Sequence, residues 1–268
     1  MENKIKINKK RKRDNNTQID IENESGLNIE DKEKNEIINV EFIFSCINEE
    51  HFIMIKNLLR PNFQFENISL NGLADLVIQM REYVGTTIKQ DNEEEDKIFG
   101  VFTLIPLTFY NTNPITKQIF EMIEEKIKND NKLKNKINLI LKKKIGFLIN
   151  ERIINLPHEL IPPAMNFISN EVFECINEED YDKRFDIDYI IIMTKFVKDI
   201  NNNNYEIIYY KPETELFLSK SEIEINYKIN YYEHDMEILE NKNQPQFMNI
   251  LFIKSDEFFN IISSMQIK

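Results

Sequence analysis

From residue 37 onward, β-rich segments alternate with amphipathic helical segments, and this alternation constrains the fold more than any other feature. Strand patterns occur at 37–46, 84–89, 98–108, 145–150, 186–198, 213–230 and 247–253, and helical periodicity at 49–59, 69–81, 114–129, 132–144, 164–175 and 255–265. Such alternation is typical of a mixed layer architecture. The sequence therefore predicts an α/β (α+β) fold, with a central mixed β-sheet flanked by helices, in a single globular domain over residues 37–268.

Local signals set several element boundaries. Ser69 and Ser255 precede helical periodicity and are predicted N-caps. Pro61 is expected to stop the first helix, because a proline inside a helix removes a hydrogen bond. The Asn201–Asn204 run is predicted to be a loop insertion. The lysine-rich helix at 132–144 is either packed on the domain with its lysines in solvent or a membrane-surface or calmodulin-target helix.

Residues 1–36 are dominated by charged and amide residues, and their few aliphatic residues show no helical or strand period. We interpret this segment as a disordered tail, because it cannot bury enough apolar area to order itself. Five consecutive cations within it have the density of a nuclear import signal: Lys9, Lys10, Arg11, Lys12 and Arg13. A solubilising or weakly nucleic-acid-binding tail is the alternative.

The net charge of the chain is −12, and its distribution is uneven. Residues 1–13 hold seven basic residues and one acidic residue, so the rest holds 27 basic and 45 acidic residues, a net of −18. A body with that field repels phosphate backbones and attracts cationic partners. We therefore expect no direct nucleic-acid binding and expect basic proteins as partners.

One loop concentrates the acidic residues. Residues 91–96 connect two predicted strands and hold five candidate contacts for a Lys/Arg-rich client: Asp91, Glu93, Glu94, Glu95 and Asp96. A solvated hairpin loop without a partner is the alternative interpretation of the same pattern.

Enzymatic motifs are absent from the sequence. The three histidines lie in different elements, and the two cysteines are 129 positions apart, which excludes a zinc ribbon or a disulfide framework. The five glycines are isolated, whereas phosphate-binding loops need clustered glycines. The longest apolar runs are about seven residues, far fewer than the roughly 20 that cross a bilayer. We predict a protein that is not an enzyme, without cofactor, metal site or membrane span.

One segment combines several unlike roles. An apolar strand from Gly146 leads into Glu151 and Arg152, then an aliphatic pair, Asn155 and Pro157. The sequence predicts either an ion-paired strand-to-helix turn that fixes the fold or a contact surface.

This segment resembles the hallmark of the BCCIP family, whose name records interaction with a breast-cancer susceptibility protein and a cyclin-dependent kinase inhibitor. In that family a Gly-aliphatic strand leads into Ser-Glu-Arg, an aliphatic pair, Asn and Pro. Asn150 replaces the Ser here, and His158 stands where the family tends to have a second Pro. Other segments are similar to the family in the same order, namely residues 40–42, 55–59, 73–79, 84–90, 98–101, 225–227 and 247–253.

The resemblance implies a fold like that of the GNAT acetyltransferases, without known transferase activity. GNAT enzymes bind acetyl-CoA through a Q/R-x-x-G-x-G/A turn, and the nearest segment, Arg81–Thr86, has one glycine at the wrong spacing. An acetyltransferase is therefore only an alternative.

The resemblance also implies a nuclear and nucleolar protein that shuttles to the cytoplasm and acts in large-subunit (60S) ribosome biogenesis. It would be a chaperone that takes part in protein transport by escorting a basic ribosomal protein, the fourteenth universal large-subunit protein, together with a nuclear import carrier. Members in animals are tied to DNA repair and cell-cycle control, which makes an adaptor of that kind the second expectation.

Overall fold

The computed structural model describes residues 4–9, 38–90, 97–177, 183–201, 204–229 and 245–265. The strands are β1 (Lys4–Lys9), β2 (Ile38–Cys46), β3 (Thr86–Gln90), β4 (Ile98–Pro106), β5 (Ile145–Arg152), β6 (Tyr189–Asn201), β7 (Asn204–Tyr209), β8 (Ile223–Lys228) and β9 (Gln246–Lys254). The helices are α1 (Phe52–Phe63), α2 (Leu70–Gln79), α3 (Pro114–Lys126), α4 (Asn131–Ile140), α5 (Ile161–Asn177), α6 (Thr214–Leu218) and α7 (Ser255–Ser264). Short 3-10 helices lie at Glu49–His51, Met80–Glu82 and His158–Leu160.

The nine strands form one mixed sheet. Its order is β1-β2-β3-β4-β5-β6-β9-β8, and β7 pairs with β6 outside that path. Neighbours are antiparallel except β5 and β6, which run parallel. The predicted mixed sheet flanked by helices is confirmed.

Helices cover both faces of the sheet, as the central strands require. Along β5 the buried side chains alternate, so that Phe147 and Ile149 join the core under α1–α4 while Leu148 joins the core under α5–α7. A parallel pair buried on both faces reads as a continuous apolar run, and this is the pattern of β5 and the first half of β6. None of the helices in the described ranges combines the length and the apolar character that a membrane span requires.

Capping follows the sequence at several helices. The Ser69 hydroxyl accepts a hydrogen bond from the Gly72 N–H at the start of α2 (3.3 Å). Asp130 caps α4 by accepting from the Leu133 N–H (2.9 Å), and α4 buries Ile137 and Ile140. Lysines 132, 134, 136, 142 and 143 are exposed. This arrangement agrees with the packed-helix interpretation of residues 132–144.

Two predicted boundaries of helices are wrong. Pro61 lies inside α1 and does not end it, because Asn62 and Phe63 after it are held by burial. Ser255 is the first residue of α7, and Lys254 is the N-cap of that helix. The Ser255 N–H donates to the Asp188 carbonyl (3.0 Å).

The predicted long strand over 213–230 is also wrong, since α6 and β8 occupy it. Phe217 stacks on Phe258 of α7 with ring centroids 5.6 Å apart, and this tertiary contact overrides the apparent alternation. Asn201 and Asn204 are the paired ends of β6 and β7, and β7 is a strand that was not predicted.

The structure differs from the predicted tail at six residues. Residues 4–9 form β1, which pairs antiparallel with β2 in the register Lys4 to Ile43 and Lys9 to Ile38. Residues 10–37 lie outside the described part of the chain.

Candidate protein-binding site

The two parallel strands pair over only four residues. Ile145–Leu148 of β5 lie opposite Tyr189–Ile192 of β6, and beyond them the strands separate. Residues 210–214, which we call the wedge, follow β7 and enter the gap. The Tyr210 N–H donates to the Lys195 carbonyl (3.1 Å), and the Thr214 and Thr194 hydroxyls lie 3.0 Å apart, so the wedge is fixed to β6.

Glu151 joins β5 to the wedge on the α1–α4 face. Its carboxylate accepts hydrogen bonds from Asn62 Nδ2 of α1 (2.6 Å) and from Lys211 Nζ of the wedge (2.9 Å), and the residue is buried. Because a buried carboxylate without partners is strongly destabilising, these two donors offset the cost of burying Glu151.

Lys195 lies beside this pair. Burial lowers the pKa of its ammonium to about 8, although the charges of Glu151 and Glu66 oppose the shift and that of Lys211 adds to it.

Arg152 joins β5 to the wedge on the opposite face. Its guanidinium donates to both Glu213 carboxylate oxygens (2.7 and 2.8 Å), and Asn150 Nδ2 donates to the same carboxylate (2.7 Å). The side chains of Arg152 and Glu213 are only 6% and 9% exposed. Burial alone would raise the pKa of Glu213, but Arg152 and Asn150 outweigh it and hold the pKa below its usual value.

Glu151 and Arg152 therefore do not pair with each other. Adjacent residues of a strand point to opposite faces, and each binds a different residue of the wedge. Both charges are buried and ion-paired, as the first of the two predicted interpretations requires, and their partners lie in the wedge.

The rest of the motif forms the turn that follows β5. A Cβ added at Gly146 would lie 2.9 Å from Ile187 Cδ1 and 3.2 Å from Leu104 Cδ1, so the glycine permits close packing. Asn155 is exposed and Pro157 is partly buried ahead of the 3-10 helix, while Leu156 between them is buried. Ile153 and Ile154, the aliphatic pair of the motif, are exposed.

The other predicted site residues fall largely outside the described ranges. Asp91, Glu93, Glu94, Glu95 and Asp96 lie there, although their flanking residues Gln90 and Lys97 are described, at the end of β3 and just before β4. Of the import signal, Lys9 ends β1, and Lys10, Arg11, Lys12 and Arg13 are outside.

Residues 81–86, the segment nearest in sequence to an acetyl-CoA-binding turn, form hydrogen bonds within the protein. Arg81 and Glu82 lie in a 3-10 helix, and the Gly85 N–H donates to a Glu171 carboxylate oxygen (2.7 Å). A backbone N–H that would have to face a phosphate thus faces a carboxylate, whose own pKa is raised chiefly by burial.

At the opposite end of the sheet lies an open cavity of about 410 Å³. It is lined by Lys143, Ile187, Asp188, Tyr189, Lys254, Ser255 and Asp256. The Tyr189 hydroxyl donates to Glu222 (2.8 Å), and its pKa is raised to about 12, mainly by burial, so the phenol stays protonated at neutral pH.

Histidines and cysteines do not converge in the described residues. His51 is buried and its Nδ1 accepts from the Asn48 N–H (3.2 Å), whereas His158 is exposed. Cys46 is exposed, and Cys175 is partly buried and packs against the core under α5–α7. Within these ranges no three His, Cys, Asp or Glu side chains are grouped to hold a metal ion.

Comparison with known proteins agrees with this architecture and with the motif. The family model described as BCCIP matches residues 37–244, which is more than half of the chain. The chain belongs to the BCCIP family. The wedge and both of its ion pairs lie inside the matched region.

Two relatives illustrate the distance within the BCCIP family. Protein bcp1 of Schizosaccharomyces pombe is 25% identical over 207 residues, which cover 68% of this chain and 72% of that protein. The BRCA2 and CDKN1A-interacting protein of Bos taurus is 27% identical over 216 residues, which cover 72% of this chain and 69% of that protein.

A solved structure shares the fold. The crystal structure of BCP1 from Saccharomyces cerevisiae superposes with a TM-score of 0.61 at 21% identity, covering 88% of this chain and 91% of that one. This chain and the Saccharomyces cerevisiae protein thus share a fold, although about four aligned residues in five differ between them.

Sequence reasoning missed the partners of the motif. Lys211 and Glu213 lie 60 and 61 positions after Glu151 and Arg152, in a segment predicted in part as strand. Asn62 lies 89 positions before Glu151. No local pattern marks these residues as partners, because the contacts depend on how β5 and β6 separate.

Proposed function

We propose that this BCCIP-family chain is a non-enzymatic nuclear and nucleolar chaperone that escorts a basic large-subunit ribosomal protein and thereby supports 60S ribosome biogenesis. The client is the fourteenth universal large-subunit protein, and a nuclear import carrier brings the chain into the nucleus through Lys9–Arg13. The observation that carries the proposal is the charge of the body, −18 beyond residue 13.

The charge distribution supports shielding as the mechanism. A free ribosomal protein is cationic and binds RNA and other polyanions indiscriminately, since the attraction to phosphate is independent of sequence. An acidic partner competes for the same cationic surface until delivery. Residues 91–96, which lie between β3 and β4 in the sequence, contribute five carboxylates to this charge.

Affinity purification of the tagged chain from its own cells at low salt, followed by mass spectrometry, tests the proposal. We expect one basic large-subunit ribosomal protein to be enriched over all others. Calorimetry with acetyl-CoA at millimolar concentration tests the alternative of a GNAT-type acetyltransferase on the same chain.

The complex should then weaken steeply with salt. We expect the affinity of purified chain for purified client to fall at least about tenfold between roughly 50 and 500 mM salt, because screening shortens the range of exposed charges from about 14 to about 4 Å. A charge-reduced control, with the five acids of residues 91–96 changed to Asn or Gln, should show a smaller dependence. A complex indifferent to salt contradicts the electrostatic mechanism.

A relative's name favours a second candidate. The protein from Bos taurus is named for interaction with BRCA2 and CDKN1A, so an adaptor in DNA repair and cell-cycle control is the alternative. Recovery of such proteins without a ribosomal protein in the same purification would favour the adaptor.

A further inference from the structure

The turn after β5 inverts the usual placement of charged and apolar side chains. Glu151 and Arg152 are withdrawn from water, whereas Ile153 and Ile154 immediately after them are 41% and 78% exposed. A single exposed isoleucine is ordinary, but two adjacent ones beside two buried charges require a reason.

The exposed isoleucines are held in place by the backbone around them. The Ile153 N–H donates to the Phe99 carbonyl of β4 (2.9 Å), and the Leu156 N–H donates to the Ile153 carbonyl (3.3 Å). Leu156 is buried in the core under α5–α7 and closes the turn. A partner that contacts these side chains therefore orders little of the backbone on binding, which keeps the entropic cost low.

A third exposed apolar side chain lies on the segment that Arg152 binds. Glu213, which binds Arg152, lies three residues before Leu216 of α6, and Leu216 is 47% exposed. On the same short helix, Phe217 is buried against Phe258, which leaves Leu216 facing outward. We call Ile153, Ile154 and Leu216 the isoleucine patch.

The two segments that carry the patch contain more acidic residues than basic ones. Residues 153–160 and 213–218 contain Glu159, Glu213 and Glu215 and no lysine or arginine. Glu159 and Glu215 are exposed, and Glu213 neutralises Arg152. These two segments therefore combine exposed apolar side chains with the exposed carboxylates of Glu159 and Glu215, a combination that is complementary to a basic partner that presents apolar side chains.

We propose that the isoleucine patch is the apolar anchor through which this protein holds a basic partner, a protein surface whose apolar side chains are flanked by Lys or Arg. The proposal rests on the proposed function and assigns its client to one end of the sheet. Charge brings the partner to the acidic body, and the patch holds it after encounter.

The test compares two exposed apolar positions in the full-length chain. Ile154→Asp removes the anchor, and Leu139→Asp, at a residue 65% exposed on α4 of the opposite face, is the matched control. The probe is the purified basic ribosomal protein recovered with the wild-type chain, labelled for fluorescence anisotropy. Unchanged thermal unfolding verifies that each variant is folded.

We expect Ile154→Asp to weaken binding at least about tenfold and Leu139→Asp to change it less than about twofold. An added carboxylate should strengthen a purely electrostatic contact with a basic client. A loss of affinity in Ile154→Asp would therefore show that the contact at residue 154 is apolar. Ile154→Ala should also lower the affinity, and its complex with the client should dissociate faster than that of the wild-type chain.

The outcomes separate the anchor from the proposed function. If the wild-type chain binds the client and Ile154→Asp binds it equally well, the anchor is wrong and the function stands. If the wild-type chain binds no basic client, both fail. Self-association of the wild-type chain that Ile154→Asp abolishes would assign the patch to a second copy of the chain and overturn the proposal.

Discussion

Lys195 shows at the scale of one residue how the site balances buried charge. The residue is 8% exposed, and burial lowers its pKa to about 8 while Glu151 and Glu66 oppose the shift. An unfolded lysine titrates at its ordinary value of 10.5. Between pH 8 and pH 10.5 this lysine therefore binds more proton in the unfolded chain than in the folded one, so its own contribution to stability rises with pH in that window.

Replacing this lysine should stabilise the protein at neutral pH. We expect Lys195→Met to raise the free energy of unfolding by about 1 to 3 kcal/mol at pH 7, because the cost of a buried ammonium is removed. The gain should shrink as the pH approaches 10, where the wild-type lysine is neutral in the folded state. Denaturant titrations at several pH values measure this, with Lys228→Met at an exposed position as the control. A loss of stability at pH 7 would show that Lys195 is needed as the partner of Glu151 or Glu66.

At the scale of elements, the wedge connects two strands that have separated. Lys211 binds Glu151 on one face of β5, Glu213 binds Arg152 on the other, and Thr214 contacts Thr194 of β6. Successive side chains of a strand point to opposite faces of the sheet. They can therefore bind the same segment only where that segment lies in the plane of the sheet. The wedge thereby occupies a gap that would otherwise expose buried strand edges.

The Arg152–Glu213 pair should carry much of this connection. We expect Arg152→Leu to cost about 3 to 5 kcal/mol of unfolding free energy, since it leaves the Glu213 carboxylate buried without its cation. The double variant Arg152→Leu/Glu213→Leu should recover at least about half of that loss. Arg81→Leu is the matched control, because the Arg81–Glu49 pair lies at the surface and should change the free energy of unfolding far less than the buried pair does.

The pH dependence gives an independent check on the same pair. The pKa of Glu213 in the folded protein lies below its ordinary value of 4.5. Its contribution is therefore complete above about pH 4.5 and is lost as the pH falls through the folded value. Denaturation at pH 7 and pH 3 should show the difference between wild type and Arg152→Leu shrinking on acidification. A difference that stays constant would mean that Arg152 acts through packing alone.

Elements were predictable from sequence where one local signal dominates. The Ser69 cap and the apolar run of β5 identify α2 and a central strand directly. The secondary structure of segment 213–230 was not predictable in this way. Its alternating Glu and apolar residues suggest a strand, but the contact between Phe217 and Phe258 stabilises a helix at its start. Likewise Glu151 and Arg152 could be recognised from the sequence as an unusual pair of charges. Their partners could not, because these depend on where residues distant in sequence meet in the fold.

At the scale of the whole molecule, charge is separated along the chain. The five cations of residues 9–13 precede a body of net −18, and the exposed lysines of α4 and the turn after it form a second basic region on the α1–α4 face. The isoleucine patch lies on the α5–α7 side, where Leu156 and Phe217 enter the core. The patch that we propose to bind a client and the cationic run that we propose as an import signal therefore lie on different parts of the sequence, and each can be changed without altering the other.

That separation makes the proposed import signal testable with a matched control. Alanine replacement of Lys9, Lys10, Arg11, Lys12 and Arg13 should move a fluorescent fusion from the nucleus to the cytoplasm, because an import carrier reads a continuous cationic run. Replacing five exposed lysines of the folded body removes the same charge and should leave the fusion nuclear: Lys132, Lys134, Lys136, Lys142 and Lys143. Residues 1–36 alone, fused to a fluorescent protein, should be nuclear, which distinguishes direct import from carriage on a client. A tail fusion that stays in the cytoplasm, or full-length alanine variants that stay nuclear, would show that net charge or a bound partner directs the protein instead.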